Sequence, residues 1–237
     1  MPGAPLRIRL DDPETEVEIR RAPRARRITL TVPQTGAPPR LTAPPGAMEG
    51  ELRLFLLRHS DWLREALARA PAPSPVRPGA ALPVGGRLLT IEAAPGPRRA
   101  PRIEGDRVIL QGRGEAGPRL AAWLKERARA ALLPAVEDCA AALGARARSL
   151  TLRDQKGRWG SCTGRGDLSF SWRLAMAPPS ALDYVAAHEA AHLVEMNHGP
   201  RFWALVERLR PGWRRERDWL KREGPALHRY RFEGEGA

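Results

Sequence analysis

One segment, residues 183–203, restricts the fold more than any other part of the chain. Apolar residues recur there at helical spacing and predict a buried helix, which Asn197 can end because asparagine tolerates left-handed backbone. Gly199 and Pro200 then predict the cap and the first position of a second helix. Glu189 falls within the apolar stripe of the first helix, where a carboxylate is costly unless a cation lies beside it. The sequence therefore predicts two helices joined by a tight turn, with a cation next to Glu189.

Three histidines of this segment have the spacing of metal ligands. His188, Glu189 and His192 form H-E-x-x-H, which on a helix places two imidazoles one turn apart on the same face, where they can share one Zn²⁺ ion. His198 lies in the predicted turn and is the candidate third ligand. Three protein ligands leave one tetrahedral position to water, as in catalytic sites. Glu189 is then the candidate general base that takes a proton from the water.

Two other interpretations fit the same residues. The histidines could be core residues that make ordinary hydrogen bonds. Alternatively, a zinc ion could occupy a closed structural site that Cys162 completes. The catalytic interpretation is favoured over both, because H-E-x-x-H followed by a correctly spaced histidine rarely arises by chance.

The chain is strongly basic, with 40 Lys and Arg against 27 Asp and Glu and a formal charge of +13. Such a charge attracts anionic partners. Only Lys125, Lys156 and Lys221 are lysines, however, and arginines scattered among Ala, Gly and Pro fit a GC-rich codon bias equally well. The sequence has no zinc finger and no ribonucleoprotein motif. Nucleic-acid binding is therefore possible but not favoured.

The termini and the cysteines bear on the cellular compartment. The first residues lack the apolar core of a signal peptide, and no apolar run approaches the roughly 18 residues of a membrane span. Cys139 and Cys162 are too few for a disulfide framework. We therefore expect a cytoplasmic protein without a membrane partner. Its oligomeric state cannot be predicted from these features.

The hydrophobic periodicity predicts an α+β protein in two domains. Residues 1–115 read as a mainly antiparallel β domain with one helix, over residues 49–70. Residues 116–237 read as a largely helical domain with a small sheet, in which Pro134 is expected to kink or divide the first helix. Strands are predicted at residues 6–10, 16–21, 27–32, 87–92, 107–111, 148–153 and 168–174.

Several motifs resemble the YgjP-like metallopeptidase family, gluzincin-like relatives of the SprT and WLM proteases. They are R-x-Q-K-x-R-W-G-S-C (153–162), L-S-F-S-W-R-L (168–174), A-P-P (177–179), D-Y-V-x-x-H-E-x-x-H (183–192) and M-N-H-x-P-x-F-W (196–203), together with R-A-R-R-I-T-L-T-V and L-T-A-P-P-G nearer the N-terminus. Ala190 replaces the usual leucine, which should affect packing but not metal binding. The resemblance implies a zincin-like catalytic domain in which His188, His192 and His198 bind zinc and Glu189 is the catalytic base.

Four further residues are candidates for the substrate cleft: Arg158, Trp159, Ser161 and Tyr230. The segment R-W-G-S-C could form a strand edge that aligns an extended peptide, with Arg158 stabilising an oxyanion or an acidic substrate. Equally, Trp159 could be a core residue and Gly160-Ser161 a simple turn. Tyr230 could fold back over the site and donate to an oxyanion.

The favoured function at this stage is peptide hydrolysis of a protein or peptide substrate by a zinc metallopeptidase. Two alternatives remain. One is a zinc hydrolase of another bond, such as a nucleotide phosphoanhydride, which the arginine excess would suit. The other is a protease associated with nucleic acid.

Overall fold

The structure, a computed structural model, describes residues 6–33, 35–70 and 72–233. The chain divides into two compact units, the first ending at Pro73 and the second beginning at Ser74. Each unit combines helices with strands, so the α+β prediction is confirmed. None of the helices in the described ranges is both long and apolar enough to cross a membrane.

The first unit is built on a four-stranded sheet. Its strands are β1 (Leu6–Asp11), β2 (Glu14–Arg21), β3 (Thr29–Thr31) and β4 (Arg40–Ala43), arranged in the order β1-β2-β4-β3. The pairs β1–β2 and β3–β4 are antiparallel, whereas β2–β4 is parallel. Alternating apolar residues of three of these strands face the core of the unit: Ile8, Leu10, Val17, Ile19, Leu41 and Ala43.

The predicted helix over residues 49–70 is present as two helices, α1 (Glu49–Arg58) and α2 (Ser60–Arg69). The break lies at His59, whose φ of −113° and ψ of 17° leave the helical region. The Nδ1 atom of His59 lies 2.8 Å from the carbonyl oxygen of Phe55 and donates to it, since a carbonyl only accepts. The side chain of His59 thus takes the acceptor that its own backbone N–H would use in a continuous helix.

The second unit begins with residues that the sequence assigned to the N-terminal domain. Strand β5 (Ser74–Pro75) pairs in parallel with β13 (Tyr230–Arg231). A four-stranded sheet follows, in the order β6-β7-β9-β8, made of β6 (Ala81–Val84), β7 (Arg87–Ala94), β8 (Arg102–Glu104) and β9 (Arg107–Gln111). The apolar residues of this sheet join the same core as the helices beyond residue 115. The compact units therefore meet at residues 73–74, not at the predicted boundary of 115–116.

The helical part of the second unit contains the histidine segment. The helices are α3 (Ala116–Ala142), α4 (Pro179–Ala191), α5 (Pro200–Leu209) and α6 (Arg214–Arg222), with 3₁₀ turns at Trp172–Met176 and Gly224–Arg229. Pro134 lies inside α3 without dividing it, contrary to one of the two expected outcomes. Helices α3 and α4 share a core that includes Leu124, Ala128 and Val185.

A three-stranded sheet lies beside α4. It consists of β10 (Ser149–Arg153), β11 (Gly160–Cys162) and β12 (Asp167–Ser171), in the order β10-β12-β11. Strand β12 pairs in parallel with β10 and antiparallel with β11. Gly160 of β11 directly contacts Glu189 of α4. The segment R-W-G-S-C therefore contributes an edge strand rather than a simple turn.

Candidate metal centre and adjoining cleft

The histidine segment folds as two helices, but the first ends earlier than predicted. Helix α4 ends at Ala191, and His192 is its C-cap with helical backbone angles (φ −68°, ψ −16°). His188 and His192 therefore keep the one-turn relationship of a helix. Asn197 does not have left-handed backbone, because every non-glycine residue of the described ranges has a negative φ. Gly199 is the N-cap of α5 and Pro200 its first residue, as predicted.

The three candidate ligands converge on one point. The Nε2 atom of His198 lies 3.1 Å from Nε2 of His188 and 3.0 Å from Nε2 of His192. One potential ligand atom from each of the three residues lies within 4.8 Å of the other two. The three imidazoles could therefore hold a single metal ion.

Aromatic side chains of α5 hold the imidazoles in place. The ring centroid of Phe202 lies 4.8 Å from that of His188, 4.4 Å from that of His192 and 4.7 Å from that of His198. Phe202 is fully buried. Trp203 also packs against His188 and stacks on His198. The aromatic rings of α5 therefore hold His198 close to His188 and His192.

The protonation of the histidines suits metal binding. Nδ1 of His192 lies 3.1 Å from the backbone oxygen of Glu195 and donates to it, which leaves the lone pair on Nε2 facing the other imidazoles. Burial, followed by the neighbouring His192 and His198, lowers the pKa of His188 to about 3. Neutral imidazole, the form that binds metals, is therefore favoured for His188 at neutral pH.

Cys162 does not belong to this cluster. Its Sγ atom lies 3.3 Å from the backbone oxygen of Thr163, and the metal-binding group among the described residues contains only the three histidines. Burial first, and then the charges of Glu189 and Asp167, raise the pKa of Cys162 to about 11. The thiol is therefore not the fourth ligand that a closed structural site would need.

Glu189 lies buried at the edge of the cluster of three histidines. Its residue is 5% exposed, and its carboxylate has no hydrogen-bond or ion-pair partner within the described ranges. Burial raises the pKa of Glu189 to about 8, with the positive charge of Arg158 acting in the opposite direction. The close approach of β11 requires glycine, because a Cβ at Gly160 would lie 2.6 Å from both Cγ and Oε1 of Glu189.

A cleft of about 330 Å³ opens beside Glu189 and His188. Its other lining residues are Arg158, Trp159, Gly160, Tyr184, Val185, Arg217, Leu220, Lys221 and Pro225. Two of the four candidate cleft residues, Arg158 and Trp159, therefore line it.

The other two candidate cleft residues lie elsewhere. Ser161 lines a separate polar groove across the small sheet, next to Ser169. Tyr230 is 4% exposed, and its hydroxyl accepts a hydrogen bond from Nη2 of Arg229 at 3.2 Å. Neither is among the described residues that line the cleft. The C-terminal segment reaches the cleft through Pro225 instead.

The sequence did not identify several residues of the cleft. Arg217 and Lys221 are spaced one turn apart on α6, and this i, i+4 pattern is the signal that places them on one face. Tyr184 is likewise one turn before His188, and its hydroxyl lies 3.5 Å from Nδ1 of that histidine. The sequence pattern alone does not specify which face of α6 meets the cleft.

The comparison with protein families agrees with the motifs. Residues 26–223 match the family model described as YgjP-like, metallopeptidase domain, which covers most of the chain. No curated protein and no solved structure matches the chain. The chain belongs to the YgjP-like metallopeptidase family.

Proposed function

We propose that this chain is a zinc-dependent metallopeptidase that hydrolyses peptide bonds in a protein or peptide substrate, with His188, His192 and His198 as the zinc ligands. The convergence of three Nε2 atoms beside a buried, unpartnered carboxylate carries the proposal. Two ligand nitrogens on a tetrahedral zinc ion lie about 3.3 Å apart, since each Zn–N bond is roughly 2.0–2.1 Å. The two Nε2–Nε2 distances of the structure, 3.0 and 3.1 Å, are close to that value.

The residues of the chain divide the chemistry between them. A bound zinc ion supplies Lewis-acid activation of water and of the scissile carbonyl. Glu189 accepts the proton of the attacking water and passes it to the leaving nitrogen. Glu189 is largely buried but lines the cleft, so a water molecule held in the cleft could reach its carboxylate. Phe202 and the Glu195 carbonyl keep the imidazoles oriented throughout.

Strand β11 offers the substrate a place to bind. Among the described strands it pairs with β12 alone, so its other edge would be available to an extended peptide that adds as a further strand. Gly160 of this strand contacts Glu189, which brings a peptide on that edge close to the proposed base. The backbone of β11 would position the scissile bond, whereas Arg158 and Trp159 would contact its side chains.

Metal removal tests the proposed function. We expect the purified chain to bind one zinc ion and to cleave unfolded proteins, and we expect a chelator to abolish cleavage until zinc is restored. His198→Ala should lower the zinc content sharply because it removes one of three ligands. Elemental analysis and a protein-degradation assay measure the two effects. Chelator-sensitive hydrolysis of nucleoside triphosphates without protein cleavage would favour the phosphoanhydride alternative.

Gly160→Ala tests the contact between β11 and Glu189. The added Cβ must displace the carboxylate or the strand, and we expect the rate of peptide hydrolysis to fall by about 100-fold. Zinc content should stay unchanged, because the atoms nearest to the added Cβ all belong to Glu189 and not to a histidine. Gly157→Ala is the matched control, since a Cβ there meets no atom within 4 Å. Equal rates of peptide hydrolysis for Gly160→Ala and Gly157→Ala would show that hydrolysis does not depend on the close contact between β11 and Glu189.

The proposal also includes the cellular location and the class of partner. A cytoplasmic location agrees with two unpaired cysteines, Cys139 and Cys162. Nucleic acid is not a favoured partner. Binding to DNA or RNA that weakens steeply with salt would revise that view.

A further inference from the structure

The cleft beside Glu189 carries an excess of positive charge. Arg158 lines it from the segment before β11, and Arg217 and Lys221 line it from α6. Glu189 is the only acidic residue among the described residues that line it. The cleft is therefore cationic next to the carboxylate.

Acidic side chains of the described residues neutralise little of this positive charge. Nε of Arg158 donates to the neutral side-chain oxygen of Gln155 at 2.8 Å. Lys221 forms no ion pair with any residue in the described ranges. Arg217 has one long ion pair, with Nε and Nη2 each 3.4 Å from Oδ1 of its neighbour Asp218. All three charges are thus available to an anionic group that enters the cleft.

The floor of the cleft is apolar. Tyr184 and Val185 of α4 and Leu220 of α6 are 6%, 4% and 5% exposed, respectively. Gln155 orients Arg158 and is itself held, because its Nε2 donates to Oγ of Ser169 at 2.8 Å. The guanidinium of Arg217 lies 4.8 Å from the ring centroid of Trp213. The cleft therefore combines a buried apolar floor with oriented basic groups.

We infer that this cleft binds an acidic side chain of the peptide substrate, Asp or Glu, next to the bond that is hydrolysed. The methylene groups of such a side chain would pack on the apolar floor while its carboxylate meets Arg217 and Lys221. We place this acidic side chain next to the hydrolysed bond because His188 and Glu189 line the same cleft. The inference rests on the proposed peptidase function and adds its substrate class.

Cleavage of a synthetic library of random peptides by the zinc-loaded full chain tests the inference. Mass spectrometry of the products locates the cleavage sites. We expect Asp and Glu to exceed Asn and Gln by about tenfold at one position beside the cleaved bond, since a charge-assisted pair contributes that much. The enrichment should decrease as salt increases.

Lys221→Glu gives the matched variant. It should shift the preference at that position toward Lys and Arg, whereas Arg222→Glu, an exposed neighbour outside the cleft lining, should keep the acidic preference. A second variant, Lys221→Gln, should lower the acidic enrichment with less risk to folding. Unchanged acidic preference in both Lys221 variants would overturn the assignment.

A binding measurement separates this inference from the proposed chemistry. The Glu189→Gln chain should bind a Glu-containing library peptide about tenfold more tightly than the same peptide with Gln, without any hydrolysis. Cleavage of peptides with no acidic preference would overturn the substrate class and leave the peptidase function standing. Absence of all peptide cleavage, together with equal binding of the two peptides, would overturn both.

Discussion

Glu189→Gln is expected to lower the rate of peptide hydrolysis by about 100- to 10,000-fold, because the amide cannot accept a proton from water. The volume of the side chain hardly changes, so the buried contact with Gly160 is retained. The three histidines also keep their positions on Phe202. Zinc content should therefore equal that of the parent chain, and elemental analysis beside a peptide-cleavage assay measures both quantities.

Glu207→Gln is the control for this variant. Its side chain lies on α5, half-exposed and paired with Arg214, outside the cleft lining. The same chemical change there should leave hydrolysis unaltered. Hydrolysis at the parental rate by Glu189→Gln would exclude this carboxylate as the base, whereas loss of zinc would assign it a role in metal binding instead.

Arg173→Met is expected to lower the free energy of unfolding by about 3 kcal/mol, because it removes several buried hydrogen bonds at once. Nε and Nη2 of Arg173 lie 2.7 and 3.0 Å from the two carboxylate oxygens of Asp154. Nη1 donates to the carbonyl oxygens of Leu227 and Tyr230 at 2.9 and 3.1 Å. Methionine fills the space but leaves both carbonyls without this donor. Denaturant titration measures the loss.

Arg107→Met is the matched control, since it breaks an ion pair of the same 2.7 Å length in which both side chains are nearly half-exposed. We expect that variant to lose much less free energy of unfolding than Arg173→Met, because an exposed ion pair contributes little to stability. If Arg173→Met lost no more free energy of unfolding than Arg107→Met, the buried guanidinium of Arg173 would contribute no more to stability than a surface ion pair.

The pH dependence of the Arg173 effect has a definite sign. Burial alone would raise the pKa of Asp154, but the hydrogen bond and charge of Arg173 outweigh it and hold that pKa below its ordinary value. Because the pKa of Asp154 is lower in the folded chain than in the unfolded chain, its ionised carboxylate stabilises the fold at pH values above the unfolded-state pKa. This stabilisation is lost as the pH falls through the folded-state pKa. The stability difference between the parent chain and Arg173→Met should therefore shrink in acid, below about pH 4.

Local spacing accounts for the parts of the site that the sequence predicted. His188 and His192 are one turn apart, and Gly199-Pro200 begins the next helix, so neighbouring residues alone specify both features. Two local predictions, left-handed backbone at Asn197 and one continuous helix over residues 49–70, were wrong for reasons that are also local. Asn197 keeps a negative φ because the chain has already left the helix at His192, and His59 interrupts its helix through a side-chain hydrogen bond.

Features that depend on distant packing could not be predicted in this way. The sequence predicted strands at residues 87–92 and 107–111, but their residue pattern does not show that their apolar side chains pack with α3 and α4. The same limit applies to Tyr230, which is buried away from the cleft, and to Lys221, which lines it. In each case the deciding contact joins residues far apart in the chain.

The pairing of β5 with β13 has a consequence for the order in which the protein matures during translation. This ladder joins the first and last strands of the second unit, and Arg173 binds the carbonyls of the same late segment. Pro225, which lines the cleft, leaves the ribosome after His188, His192 and His198. A nascent chain therefore carries its three histidines before Pro225 can complete the wall of the cleft beside them.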